Sequence, residues 1–259
     1  MSPLAVFLLT VVVAIVAKTA AWWLQLRTRN AGLVDPIWAF TLGLLAVIYA
    51  AAGSAPAATR LALGIMGASW GLRLGLHLWL RNAGKPEDFR YAQFRAQWGA
   101  AADRKLFWFF QFQNVFTLLL SASAFLPAAF RADNPPAAAF VLAALVWLVA
   151  VAGEGLADHQ MAAFRADPAN KGQVCRDGLW RYSRHPNYFF ECLHWLAYVP
   201  LALGTPWGGA AFVAPIVMAA LLMKLSGVPL LEDEMVKRKP GYAEYIRTTN
   251  ALIPGPPKA

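Results

Sequence analysis

The stretch LAVFLLTVVVAIVAKTAAWWLQL, residues 4–26, decides the fold. It carries a single formal charge, Lys18, in 23 residues. As a helix it would rise roughly 35 Å, enough to cross a hydrocarbon core about 30 Å thick. It has no basic start and is longer than the apolar core of a secretory signal, so it reads as a membrane span rather than a cleaved leader.

Six further runs of this kind follow: Leu33–Ala52, Leu61–Leu80, Leu106–Phe130, Pro136–Ala157, Tyr188–Leu203 and Gly208–Leu231. The expected fold is therefore all-α, a polytopic membrane bundle of about seven transmembrane helices forming one domain over residues 1–259. Tyr188–Leu203 is short and ends in the turn Gly204-Thr205-Pro206, so it either crosses with little tilt or sits partly re-entrant. Composition agrees. The chain is 59% hydrophobic and 14% charged, with a mean hydropathy of +0.46, against about half and about a quarter for soluble domains. Disorder, coiled coil and a disulfide-stapled scaffold are excluded. Cys175 and Cys192 match no metal spacing and give no reason to expect a disulfide.

A net charge of +9 on so apolar a chain raises the question of nucleic acid. The placement of the charges answers it. The connections after the first, third and fifth runs, with the C-terminal tail, hold 18 of the 23 basic residues, whereas the opposite connections hold only Arg60 and Arg131. The positive-inside rule then puts the N-terminus outside and the C-terminus in the cytoplasm. No nucleic-acid partner is needed. The outer loops are short and rich in Ala, Pro and Gly; the cytoplasmic ones are long and polar. Chemistry is expected on the cytoplasmic face, from loops 81–105 and 158–187 and the tail 232–259. No internal repeat stands out, which weighs against an inverted-repeat transporter.

Charges within the runs are functional candidates, because burying one in lipid is costly. Asp35, in Val34-Asp35-Pro36, is either an N-cap, a functional acid, or both. Arg73 and His77 share a helical face. Lys18 and Lys224 lie nearer the cytoplasmic ends and are expected to snorkel. Gln111, Gln113 and Asn114 either line a cavity or bond neighbouring helices. Glu154 and Asp158 form an i,i+4 pair of like charge, which calls for a cation or donor between them. His159 and His194 show no metal-ligand spacing, and no metal site is expected.

The densest signal is Gly178-Leu179-Trp180-Arg181-Tyr182-Ser183-Arg184-His185-Pro186-Asn187-Tyr188-Phe189-Phe190-Glu191. It enters the sixth run with Asn187 where the helix begins. Free N–H groups at that helix start favour an anion, and Arg184 offers a fork suited to phosphate. A basic loop held by lipid headgroups would explain the arginines, but not Asn187 and Glu191 carried into an apolar helix. Neither GxGxxG nor GxxxxGK[ST] is present, so a nucleotide would be held by the bundle itself.

Arg165, Gly178–Glu191 and the tail Tyr242-Ala243-Glu244-Tyr245 through Leu252-Ile253-Pro254 together resemble the bacterial steroid 5-alpha-reductase-like membrane proteins. That group belongs to a wider superfamily with isoprenylcysteine carboxyl methyltransferases and sterol C14 reductases. Trp70-Gly71-Leu72-Arg73-Leu74 and Glu87-Asp88-Phe89-Arg90-Tyr91 also fit. The resemblance implies a multi-pass protein of the bacterial cytoplasmic membrane with NADPH inside its cytoplasmic half. It implies that Asn187 and Glu191 hold the nicotinamide end, Asp158 and Arg165 the adenosine and phosphate end, and Arg81 a phosphate. Arg184, His185, Tyr188 and Tyr245 complete the implied cofactor site. The steroid enzymes carry a Gln-Glu pair on the second helix and a Tyr on the third; here Asp35 has no Gln before it and Trp70 lies near the Tyr position.

The expected reaction is hydride transfer from NADPH to an activated, enone-type double bond of a lipophilic substrate. Charge developing on the substrate oxygen then needs an acid, a role given to Asp35 on the expectation that apolar surroundings keep it protonated. One rival is an S-adenosylmethionine-dependent membrane methyltransferase using the same loop. The excess of arginine (Arg81, Arg165, Arg181, Arg184) suits phosphates better than a zwitterion. The other is a non-catalytic membrane protein with a basic face for lipids.

Overall fold

The computed structural model describes residues 1–225 and 227–258, and every regular element among them is helical. Among the described residues six helical stretches are long and apolar enough to cross a membrane: Pro3–Thr28, Ala31–Ala52, Ala57–Asn82, Phe89–Ala129, Ala137–Ala166 and Gly208–Arg238. Their exposure pattern is the reverse of a water-soluble protein. On α1 (Pro3–Thr28) the buried stripe is Val6, Thr10, Ala14, Lys18, Ala21 and Gln25, whereas Leu8, Val12, Ile15 and Val16 point outward. Polar groups inside and aliphatic groups outside suit a bilayer, where lipid solvates the exterior and polar side chains bond across helices.

Lys18 corrects the snorkelling expectation. It is fully buried, and its ammonium donates to Gln113 Oε1 at 2.8 Å. Gln111 in turn donates to Thr19, and Asn114 to Gln111. Gln111 and Gln113 therefore bind the helix Ala102–Ala129 to α1, and Asn114 braces Gln111 within its own helix. Lys224 is exposed.

The run Tyr188–Leu203 is not one continuous helix. It divides into α7 (Pro186–Leu196) and α8 (Val199–Ala202), neither of which has the length of a span. Pro200 supplies the reason: it has no N–H to return to the Leu196 carbonyl and is accommodated in the first turn of a new helix instead.

The chain forms two compact units. The first comprises Met1–Phe140 and Tyr198–Ala214. Its centre is the pairing of α2 (Val34–Ala52) with α3 (Ala57–Asn82). Gly67, Gly71 and Gly75 recur every four residues and so share a face. A Cβ on Gly71 would stand 2.6 Å from Gly43 Cα and 2.8 Å from the Ala39 carbonyl oxygen, while the Phe40 ring occupies the space beside Gly75. Backbones approach this closely only where side chains are absent. The short helix α4 (Phe89–Trp98) starts at an Asp88 cap whose carboxylate accepts from the Arg90 N–H. Beneath it Tyr91, Leu106 and Phe110 are buried with Ala21, Ala31 and Val34. The long helix α5 (Ala102–Ala129) packs Phe125 edge-on against Tyr198, centroids 4.9 Å apart.

The second unit comprises Val141–Ala197 and the chain from Pro215 onward. In it α6 (Ala137–Ala166) and α7 run antiparallel, Asp158 meeting Asn187 and Gly153 receiving the Phe190 ring. The last apolar run is segmented into α9 (Val213–Ala220), a π-helical turn Leu221–Leu225 and α10 (Val228–Arg238). The short α11 (Tyr242–Thr248) and the tail follow.

Candidate functional site

In the second unit the dense motif is shaped by two local devices. Gly178 takes a left-handed φ of +56°, and a Cβ there would collide with the Gln160 amide, whose oxygen accepts the Leu179 N–H at 3.0 Å. Pro186 then opens α7 with φ already helical, at a position whose missing N–H has no intrahelical acceptor anyway. Asn187 and Glu191 follow one turn apart on one face. Asn187 Nδ2 lies 3.5 Å from Asp158 Oδ1, and its Oδ1 accepts the Tyr188 N–H at 3.1 Å. Glu191 is buried and accepts from the Trp195 indole at 2.9 Å. The structure thus brings Asp158 and Asn187 together on neighbouring helices and sets Glu191 one turn deeper.

Arg184 has a different place from the phosphate fork expected of it. Its Nε and Nη2 donate to the two oxygens of Glu232 at 2.6 and 3.1 Å. Its Nη1 donates to the Ile246 carbonyl at 2.9 Å and to the Thr249 carbonyl. A guanidinium engaged on three sides, with 8% exposure, serves to hold the tail. His185 Nε2 meets the same Glu232 at 2.9 Å, and its ring stacks on Tyr188 with centroids 5.1 Å apart. Backbone bonds extend the clamp: Arg184 N–H to Asn250, His185 N–H to Ala251, and Gly255 N–H to Tyr182.

Tyr245 is part of the same tie. Its buried hydroxyl donates to the Trp180 carbonyl and to that of Ser183 at 3.2 Å. Burial, with Tyr242 beside it, pushes the Tyr245 phenol above its ordinary range.

The cations Arg165 and Lys239 remain near one another at the end of α6. Lys239 donates to the Gln173 carbonyl at 2.7 Å, and burial first, then the like charge of Arg165, lower its ammonium below the usual lysine range. Two crowded cations favour an anion between them. Arg165 itself is exposed on the last turn.

Arg81 and Asp35 belong to the first unit. Arg81 is exposed at the end of α3, with Nε 3.3 Å from Asn82 Oδ1. Asp35 lies in the first turn of α2 but is not its cap, since that position falls on Leu33. Its surroundings differ from the apolar pocket expected. Arg90 Nη2 donates to one oxygen at 2.9 Å, and the Tyr91 hydroxyl donates to the other at 2.8 Å. Both Asp35 oxygens therefore act as acceptors, one of a guanidinium N–H and one of a phenol O–H. The group beside it that carries a transferable proton is Tyr91.

Glu232 has no role in the sequence reading, and Arg90 and Tyr91 enter it only within the stretch Glu87–Tyr91, with no part in a site. Glu232 stands at the end of the last apolar run, and Arg90 and Tyr91 follow the Asp88 cap. Those positions are the signals that pointed to them.

A family model described as a protein of unknown function, DUF1295, matches residues 21–249 and so takes in the motif, the Arg184–Glu232 pair and Asp35. Comparison with curated proteins and with solved structures gave no match. On a family match over most of its length, the chain belongs to the DUF1295 family.

Proposed function

We propose that the protein is a membrane-embedded reductase that uses NADPH to reduce an activated, enone-type double bond of a lipophilic, steroid-like substrate. The observation that carries this reading is the graded set of groups along α6 and α7. At one end Arg165 lies within electrostatic reach of Lys239, two cations whose joint charge suits a phosphate. Next come Asp158 and Asn187 at 3.5 Å, able to meet hydroxyl and amide groups. Deeper still is the buried carboxylate of Glu191, suited to an amide N–H. Phosphate, ribose and carboxamide occur in that order in a nicotinamide dinucleotide, so the residues present fit the group. S-adenosylmethionine has no phosphate to match the cationic end.

Bound NADPH would supply the hydride. The chain's own part is to orient, to exclude water and to deliver a proton. In the first unit Tyr91 donates its hydroxyl hydrogen to Asp35, and Arg90 fixes the other carboxylate oxygen. Within that unit the Tyr91 hydroxyl and the Asp35 carboxyl form a proton-bearing pair, which the Tyr91→Phe and Asp35→Asn variants test. The excess of basic residues on loops 81–105 and 158–187 supports a membrane protein with this site on the cytoplasmic side, and the family resemblance implies the bacterial cytoplasmic membrane.

The test is to purify the full chain in mild detergent, titrate it with NADPH and with S-adenosylmethionine, and assay oxidation of NADPH with lipophilic enones. Saturable NADPH binding with enone-dependent oxidation is expected. Binding of S-adenosylmethionine alone would refute the reading.

A further inference from the structure

Within the first unit a second site lies at the other end of α5 from Asp103 and the α4 region. Leu126, Phe130, Arg131, Asp133, Gly204 and Trp207 contribute to a cleft of about 320 Å³. Arg131 is 7% exposed and is held by backbone carbonyls: Nε donates to Asp133, and Nη1 to Leu201 at 2.5 Å and Leu203 at 3.4 Å. Those bonds take Nε and Nη1 only. Among the described residues Nη2 has no hydrogen-bonded acceptor, and it is the one atom within 4 Å of where a Gly204 Cβ would stand, at 3.9 Å. Gly204 has φ +84°, so the turn that leaves this nitrogen uncovered depends on glycine.

Asp133 lines the same cleft with an exposed side chain. Although only two residues from Arg131 and opposite in charge, its carboxylate makes no ion pair with the guanidinium among the described residues. The cleft therefore presents a fixed positive donor and a separate negative acceptor beside an apolar wall. Trp207, 73% exposed, stands at its rim, and indole rings favour the level of the lipid headgroups.

We propose that this cleft binds the phosphoethanolamine headgroup of a bilayer phospholipid, with its phosphate on Arg131 Nη2 and its ammonium on Asp133. Charge complementarity selects that occupant. A phosphoglycerol headgroup satisfies Arg131 but brings no cation to Asp133. A phosphocholine headgroup brings a cation without an N–H to donate. The first carbons of the acyl chains then lie along Leu126 and Phe130.

The test is native mass spectrometry of the full chain released from vesicles with equal amounts of phosphatidylethanolamine, phosphatidylglycerol and phosphatidylcholine. Wild-type protein is expected to retain phosphatidylethanolamine preferentially. Asp133→Asn removes one charge-assisted bond and should cut that preference about tenfold. Asp133→Lys should turn it toward phosphatidylglycerol. Both changes lie on an exposed side chain and leave the Arg131 carbonyl bonds in place, so folding is preserved. Equal retention of the three lipids by wild type, or an unchanged preference in Asp133→Asn, would overturn the proposal. Displacement of the lipid by millimolar free phosphoethanolamine would reassign the cleft to a soluble ligand and overturn the lipid assignment.

Discussion

Arg184 and Glu232 meet fork to fork, Nε to Oε1 at 2.6 Å and Nη2 to Oε2 at 3.1 Å, with side-chain exposures of only 9% and 12%. This pair ties the loop before α7 to α10, and through Nη1 it also holds the carbonyls that end α11. Removing one partner leaves a buried charge uncompensated. Glu232→Ala should therefore destabilise the protein by about 3–5 kcal/mol. Denaturant unfolding in detergent checks the size, and limited proteolysis should show the tail beyond Ile246 becoming cleavable. Arg184→Lys retains charge without the fork and should fall between wild type and Glu232→Ala.

The Tyr245 phenol carries a pH dependence of definite sign. Its ionisation is raised above the ordinary 10.0 by burial and by Tyr242. Below pH 10 the phenol is protonated whether the chain is folded or not, and the stabilisation is complete. Above it the unfolded chain loses the proton while the folded chain keeps it, so stability declines as pH rises toward the folded value. Tyr245→Phe should lose about 1–3 kcal/mol at neutral pH, because two buried carbonyls lose their donor. It should also flatten the alkaline decline. Thermal unfolding at a series of pH values above 9, for both proteins, checks both effects.

At the α2–α3 crossing, Gly71 has no room for a side chain: the nearest atoms to an added Cβ are backbone, at 2.6 and 2.8 Å. Backbone cannot rotate aside as a side chain can. Gly71→Leu should force the helices apart and cost about 1–3 kcal/mol or more, read as a lowered unfolding midpoint. Gly209, with nothing within 4 Å, is the control position, where alanine should have little effect.

For the proposed reduction, Tyr91→Phe should lower kcat by about 10²–10⁴ while leaving NADPH affinity unchanged, the behaviour of a lost general acid. Asp35→Asn keeps an acceptor for Tyr91, removes one of the two carboxylates that balance Arg90 and leaves Asp88 in place, and should lower kcat less. Steady-state kinetics with a lipophilic enone and a direct cofactor titration separate the two effects. Full activity in Tyr91→Phe would remove that residue from the mechanism.

Much of this fold is legible in the linear chain, because a bilayer imposes long apolar runs that declare themselves one by one. The run at Tyr188–Leu203 was marked as unusual by its shortness, but its break needed the effect of Pro200 on the Leu196 carbonyl to be weighed. The candidate site was legible at Asp158, Asn187 and Glu191, where polar groups enter an apolar helix. It was less legible at Arg184 and Asp35. Which counter-ion a buried charge adopts depends on residues distant in sequence, Glu232 from 48 positions away and Arg90 from 55. Lys18 shows the same limit, since nothing local distinguishes a snorkelling lysine from one that reaches Gln113.

The proposed hold of α6 and α7 on a phosphate-bearing nicotinamide cofactor is tested by NADPH titration of purified wild type, Arg165→Ala and Glu191→Ala in mild detergent. Wild type should bind NADPH saturably, both variants more weakly, and Arg165→Ala should show the larger loss of preference for NADPH over NADH. No binding by wild type, or identical titrations for all three proteins, would contradict it.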